Sequence, residues 1–121
     1  IKSLNDLVLN HGYFNRDEIE LNLKTSICGI NLISQNDQYS ANTINAKTID
    51  YLANKVVPIT NIENTTTANL LKKYNLGYVI EKNEPKSIYE ALIYIRDNYE
   101  FYKKANLQFV KKIESYNFLN Y

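Results

Sequence analysis

The chain has 121 residues, enough for one ordinary domain and too few for two independent cores. Hydrophobic residues make up 45% and charged residues 22%, which is a globular composition and not a disordered one. Fourteen basic against thirteen acidic residues disfavour a nucleic-acid binder driven by bulk charge, and a single cysteine and a single histidine exclude an intrachain disulfide and a thiolate- or histidine-rich metal site.

Leu7-Val8-Leu9-Asn10-His11-Gly12 is a short apolar run closed by glycine, and predicts a buried strand over 7–12. Asn15 with Glu18 three residues on forms a capping-box pattern, so a helix follows, with Ile19, Leu23 and Ser26 as its inner stripe. Ile27 to Ile33 is too apolar for a half-exposed strand and reads as a central parallel strand covered on both faces. Ser34 to Ala41 is a polar loop, and a helix is predicted from about Thr43 to Asn54. Val56 to Thr60 is the next strand, with Pro58 expected at a strand end or an irregular position because it lacks an N–H.

Asn64 to Tyr74 reads as a helix with Thr67, Leu70, Leu71 and Tyr74 on one face. Leu76 to Ile80 follows as a strand opened by Gly77. Pro85 stands at a first-turn position of the closing helical region, and Ser87 with Glu90 offers a capping box one step later. An apolar stripe from Ile88 to Ile113 is longer than a usual globular helix, so a break is expected near Asp97-Asn98. This alternation predicts an α/β fold, a Rossmann-like parallel sheet of about four strands with flanking helices.

The chain contains no methionine and starts at Ile1, which suggests a piece of a longer protein. It has no signal-peptide pattern and no run of about 18 apolar residues. Low glycine and proline counts argue against a turn-rich all-β fold, and the frequent asparagines are scattered rather than clustered.

Ligands of open parallel sheets sit beyond the carboxyl ends of the strands. Thr43, Lys47 and Asp50 fall at i, i+4 and i+7 in the helix placed there, so one face carries a cation and a carboxylate near a helix start that attracts anions. On the residues alone, Lys47 and Asp50 read first as a solvated i,i+3 surface pair, the reading that most such pairs satisfy. His11 reads as a turn residue bonded to backbone, and Cys28 as a small buried hydrophobe. The lysine pairs at 72–73, 103–104 and 111–112 read as solvated helix faces. No phosphate-binding glycine loop, zinc-protease motif or nucleophile elbow occurs.

Asn45 to Ile59, quoted as Asn-Ala-Lys-Thr-Ile-Asp-Tyr-Leu-Ala-Asn-Lys-Val-Val-Pro-Ile, resembles the N-K-x-x-E-Y-L-A-x-G-x-P-V-I segment of GT-B glycosyltransferases of the group 1 type. Gly12 to Ile19, Ile27 to Ile33, Leu76 to Ile80 and the closing helices resemble further segments of that family in the same order. The resemblance implies a single α/β domain over 1–121, the second half of the family's C-terminal nucleotide-sugar-binding domain. The implied activity is glycosyl transfer from a nucleotide-sugar to a glycan or lipid-linked acceptor, for instance in surface polysaccharide synthesis. It implies a cytoplasmic enzyme, peripheral to the inner face of the membrane, with no cofactor, no metal and no nucleic-acid partner. The family's acceptor domain and basic diphosphate segments have no counterpart here, so the chain alone is expected to transfer no sugar and to contain no catalytic residue.

By the same resemblance, Asp50 stands where a Glu grips the ribose. Asn42 stands where the retaining members' Glu touches the donor sugar, and Thr43 and Ile44 stand where backbone N–H groups meet the diphosphate. Lys47 lies on the same face. Asp for Glu shortens the reach by one methylene, Asn for Glu removes a charge, and Asn54 stands where glycine is usual. Exposed edges and the aromatic face of the closing helices suggest homo-oligomer formation. The alternative reading is a non-catalytic α/β module, receiver-like or partner-binding; a receiver would need acids at strand ends where this chain has Gly12 and Ile33-Ser34.

Overall fold

The computed structural model describes residues 12–119. The strand expected at 7–12, Gly12 excepted, and His11 lie outside the described residues. Three parallel strands follow: β1 (Cys28–Ile30), β2 (Val57–Asn61) and β3 (Tyr78–Ile80), in spatial order β1-β2-β3. The helices are α1 (Arg16–Lys24), α2 (Gln38–Ala41), α3 (Ala46–Ala53), α4 (Thr65–Tyr74), α5 (Pro85–Asp97) and α6 (Tyr99–Leu119). The fold is α/β, a parallel sheet flanked by helices. The sheet has three strands among the described residues, against the four expected.

β2 is the central strand, and all five of its residues are buried. The run Ile27–Ile33, expected to be central, supplies only the three residues of β1, which lies at the edge of the described sheet with Ile27 and Ile30 exposed. Pro58 sits inside β2, not at its end. Val57 N–H donates to Ile27 O on the β1 side. Alternation therefore turns the Pro58 nitrogen toward β3, whose pairing starts only at the Ile59–Tyr78 register. No ladder bond is lost there.

Each sheet face has its own core. Val57, Ile59 and Ile80 pack on one face against Ala91 and Ile95 of α5 and Tyr102 of α6. On the other, Leu52 of α3 and Leu71 of α4 pack with Leu76, Val79 and Phe109. Helix α6 joins the two layers, because Tyr102 belongs to the first core and Phe109 to the second. Between them, buried Asn106 donates through Nδ2 to Leu52 O at 3.0 Å, satisfying a carbonyl at the end of α3.

Helix ends follow local chemistry, with departures from expectation. Asn15 and Glu18 form the expected capping box of α1, yet α1 buries no residue, and Ile19 and Ser26 are exposed. Asn75 (φ 56°), not Gly77, takes the left-handed cap of α4, and Lys55 (φ 61°), not Asn54, turns left-handed after α3. Gly77 serves close approach, since a Cβ there would stand 2.3 Å from Pro58 O. Pro85 opens α5 as expected, and the Ser87–Glu90 capping box does not form, because Ser87 lies inside the helix and Glu84 takes the cap position without a side-chain bond. The helix break falls at Asn98, as expected.

Candidate functional site at the carboxyl end of the sheet

The helix expected from Thr43 starts at Ala46, with Asn45 as its N-cap. Residues 42–44 belong to the link between α2 and α3. Asn42 is the C-cap of α2, its N–H pairing with Gln38 O at 3.2 Å and Thr43 N–H with Ser40 O at 3.4 Å. Both backbone donors are thus engaged within the chain. Ile44 is exposed, and its N–H pairs with no backbone group among the described residues. Thr43 therefore does not share a helical stripe with Lys47 and Asp50, which lie together in α3 at i, i+3. Asn45 makes no side-chain cap bond, so the first-turn N–H groups of α3 are uncapped at the end where parallel-sheet proteins bind ligands.

A buried amide network holds this end in place. Thr60 Oγ1 donates to Asn31 O at 2.8 Å. Asn61 clamps the Ile33 peptide, accepting from its N–H at 3.0 Å and donating to its C=O at 2.7 Å. Asn64 Nδ2 donates to Thr60 Oγ1 and Asn45 Oδ1, and Asn31 Nδ2 donates to the same Asn45 oxygen at 3.1 Å. Thr67 Oγ1 donates to Thr43 O at 3.2 Å. Asn45 is the hub: it ties the end of β1, the start of α4 and the start of α3 together. Asn64 Oδ1 and Thr48 Oγ1 are buried without a partner among the described residues. Sequence reasoning missed this network because each asparagine alone is a common loop residue; the one available signal was that Asn31, Asn45, Asn61 and Asn64, though scattered along the chain, each fall at or beside the end of a strand or helix.

Lys47 is exposed and Asp50 is half-buried. The carboxylate of Asp50 is not free. Arg16, at the first turn of α1, reaches it in bidentate fashion, Nη2 to Oδ1 at 3.1 Å and Nη1 to Oδ2 at 3.3 Å. The guanidinium is held charged, its pKa raised by the hydrogen bond and charge of Asp50. Arg16 also meets Glu20 at 3.4 Å, one turn along α1. Sequence reasoning missed Arg16 as well, since its 34-residue separation from Asp50 left no local signal.

A separate groove of about 350 Å³ lies past β3, between Ile80 and Glu81 on one side and Lys86 and Ser87 of α5 on the other. Among the described residues no group of three or more acidic, histidine or cysteine side chains is placed to hold a metal ion. No described helix is long and apolar enough to cross a membrane. The chain matches no protein-family model, no curated protein and no solved structure.

Proposed function

We propose that this chain forms part of the donor site of a glycosyltransferase and binds the nucleotide portion of a nucleotide-sugar. The observation that carries the reading is the position of Asp50. Its carboxylate is one turn into a helix with an uncapped first turn, at the ligand-binding end of a parallel sheet. Ala46 and Asp50 lie about 6 Å apart along the helix axis, at about 1.5 Å rise per residue. A ribose gripped by Asp50 then sets its phosphate against the N–H groups of the first turn, with Lys47 beside it as a point charge. Ile44 offers one further N–H, and Asn42 stands at the sugar-side end of the same link. Transfer itself requires groups beyond these, and the acceptor is a glycan or a lipid-linked sugar by resemblance.

A partner-binding module is the second reading. The exposed isoleucines 27, 30, 44 and 49 favour it. Calorimetry with a nucleotide-sugar on wild-type protein and on Asp50→Ala separates the two. The donor-site reading expects the substitution to weaken binding by about 1.5–3 kcal/mol, the cost of losing hydrogen bonds to a charged group. Unchanged affinity would leave Asp50 as half of a surface ion pair.

A further inference from the structure

Helix α1 buries none of its residues, yet one of its side chains crosses to α3 and occupies both oxygens of the Asp50 carboxylate. A ribose diol needs those same oxygens as acceptors, because a carboxylate accepts and its partners donate. The guanidinium is itself a bidentate donor matched to phosphate as well as to carboxylate. The pair is also open to exchange: the Arg16 side chain is 64% exposed and that of Asp50 31%, so solvent reaches both partners.

We infer that Arg16 is a latch on the donor site, and that it exchanges partners when a nucleoside diphosphate binds. This rests on the donor-site reading above. Without ligand, Arg16 holds Asp50 and closes the ribose position. With ligand, the diphosphate takes the guanidinium and the ribose hydroxyls take the freed carboxylate. A nucleoside lacking phosphates must displace Arg16 without offering it a new partner. The latch therefore discriminates for the diphosphate form of the ligand, beyond the charge that Lys47 and the first turn of α3 supply.

The test compares uridine, UDP and GDP on the 121-residue chain by amide chemical-shift titration, for wild type, Arg16→Gln and Asp50→Asn. The latch predicts that Arg16→Gln weakens binding of the better diphosphate by about tenfold and leaves uridine binding equal or tighter. It predicts that Asp50→Asn weakens both ligands. If Asp50→Asn weakens both while Arg16→Gln changes neither, the donor site stands and the latch is overturned. Equal weakening of uridine and diphosphate by Arg16→Gln also overturns it, since Arg16 then acts only by positioning Asp50. Wild-type protein that binds none of the three probes overturns the donor-site reading and the latch with it.

Discussion

Lys55 carries a φ of 61°, a conformation that crowds Cβ against the carbonyl and that glycine adopts without cost. Lys55→Gly is therefore expected to stabilise the chain by about 0.5–1 kcal/mol after the added entropy of the unfolded glycine is discounted, read from the urea midpoint. A lower midpoint would show that the lysine stem contributes packing that outweighs the strain. Asparagine tolerates the left-handed region, yet Asn54 keeps a φ of −105°. The actual position is set by the turn itself: Asn54 N–H still bonds back to Asp50 O, and the chain reverses one residue later so that Val56 N–H meets Tyr51 O. Asn75 is the reverse case, an asparagine that does take the cap while Gly77 is reserved for contact with Pro58. Residue type pointed to Asn54 and Gly77, and the connection to the next element put the left-handed residue at Lys55 and Asn75 instead.

Asn61 links β2 to a stretch of chain that the ladder does not reach, since its amide imitates a strand and pairs with both backbone groups of Ile33 beyond the end of β1. Its burial is complete and the Ile33 peptide is part-buried, so removing the amide leaves that peptide without its partner. Asn61→Ala is expected to cost about 2–3 kcal/mol. Hydrogen exchange at the Ile33 amide should accelerate more than at Ile59, and equal acceleration at both sites would mean that the loop is held by something else. Element boundaries were largely legible in the sequence: the capping box of α1, Pro85 at the start of α5 and the break at Asn98 are local signals. Strand order was not. The run from Ile27 to Ile33 reads as a central strand, yet among the described strands the central one carries a proline and two buried polar residues, Thr60 and Asn61. Those polar groups are satisfied by the neighbouring loop, a condition that hydrophobicity along the chain does not encode.

The two cores are held together by α6, and Tyr102 is the aromatic side chain that anchors this helix in the first core, edge-on to Tyr94 and Phe101. Burial pushes the Tyr102 phenol up to about 12. The unfolded chain loses that proton near its ordinary value of about 10, while the folded chain keeps it, so stability from this group is present below pH 10 and is lost as pH rises toward 12. Tyr102→Phe should flatten the fall in urea midpoint between pH 9 and pH 11; an unchanged slope would assign the alkaline loss to other groups. At this scale the sequence made the α/β parallel class legible, through alternating apolar runs and helical stripes. It carried the candidate site only in part: Lys47 and Asp50 do share α3, but Arg16 comes from a different helix and Thr43 from outside the helix. Contacts between distant segments are set by packing, which spacing within one helix does not report. The donor-site reading is tested most directly by mapping amide shifts across the whole chain during titration with a nucleotide-sugar. The account predicts saturable shifts concentrated at Ile44, Ala46, Lys47 and Asp50, with Arg16 following. Shifts confined to the exposed Ile27 and Ile30, or no saturable shift at all, would contradict it.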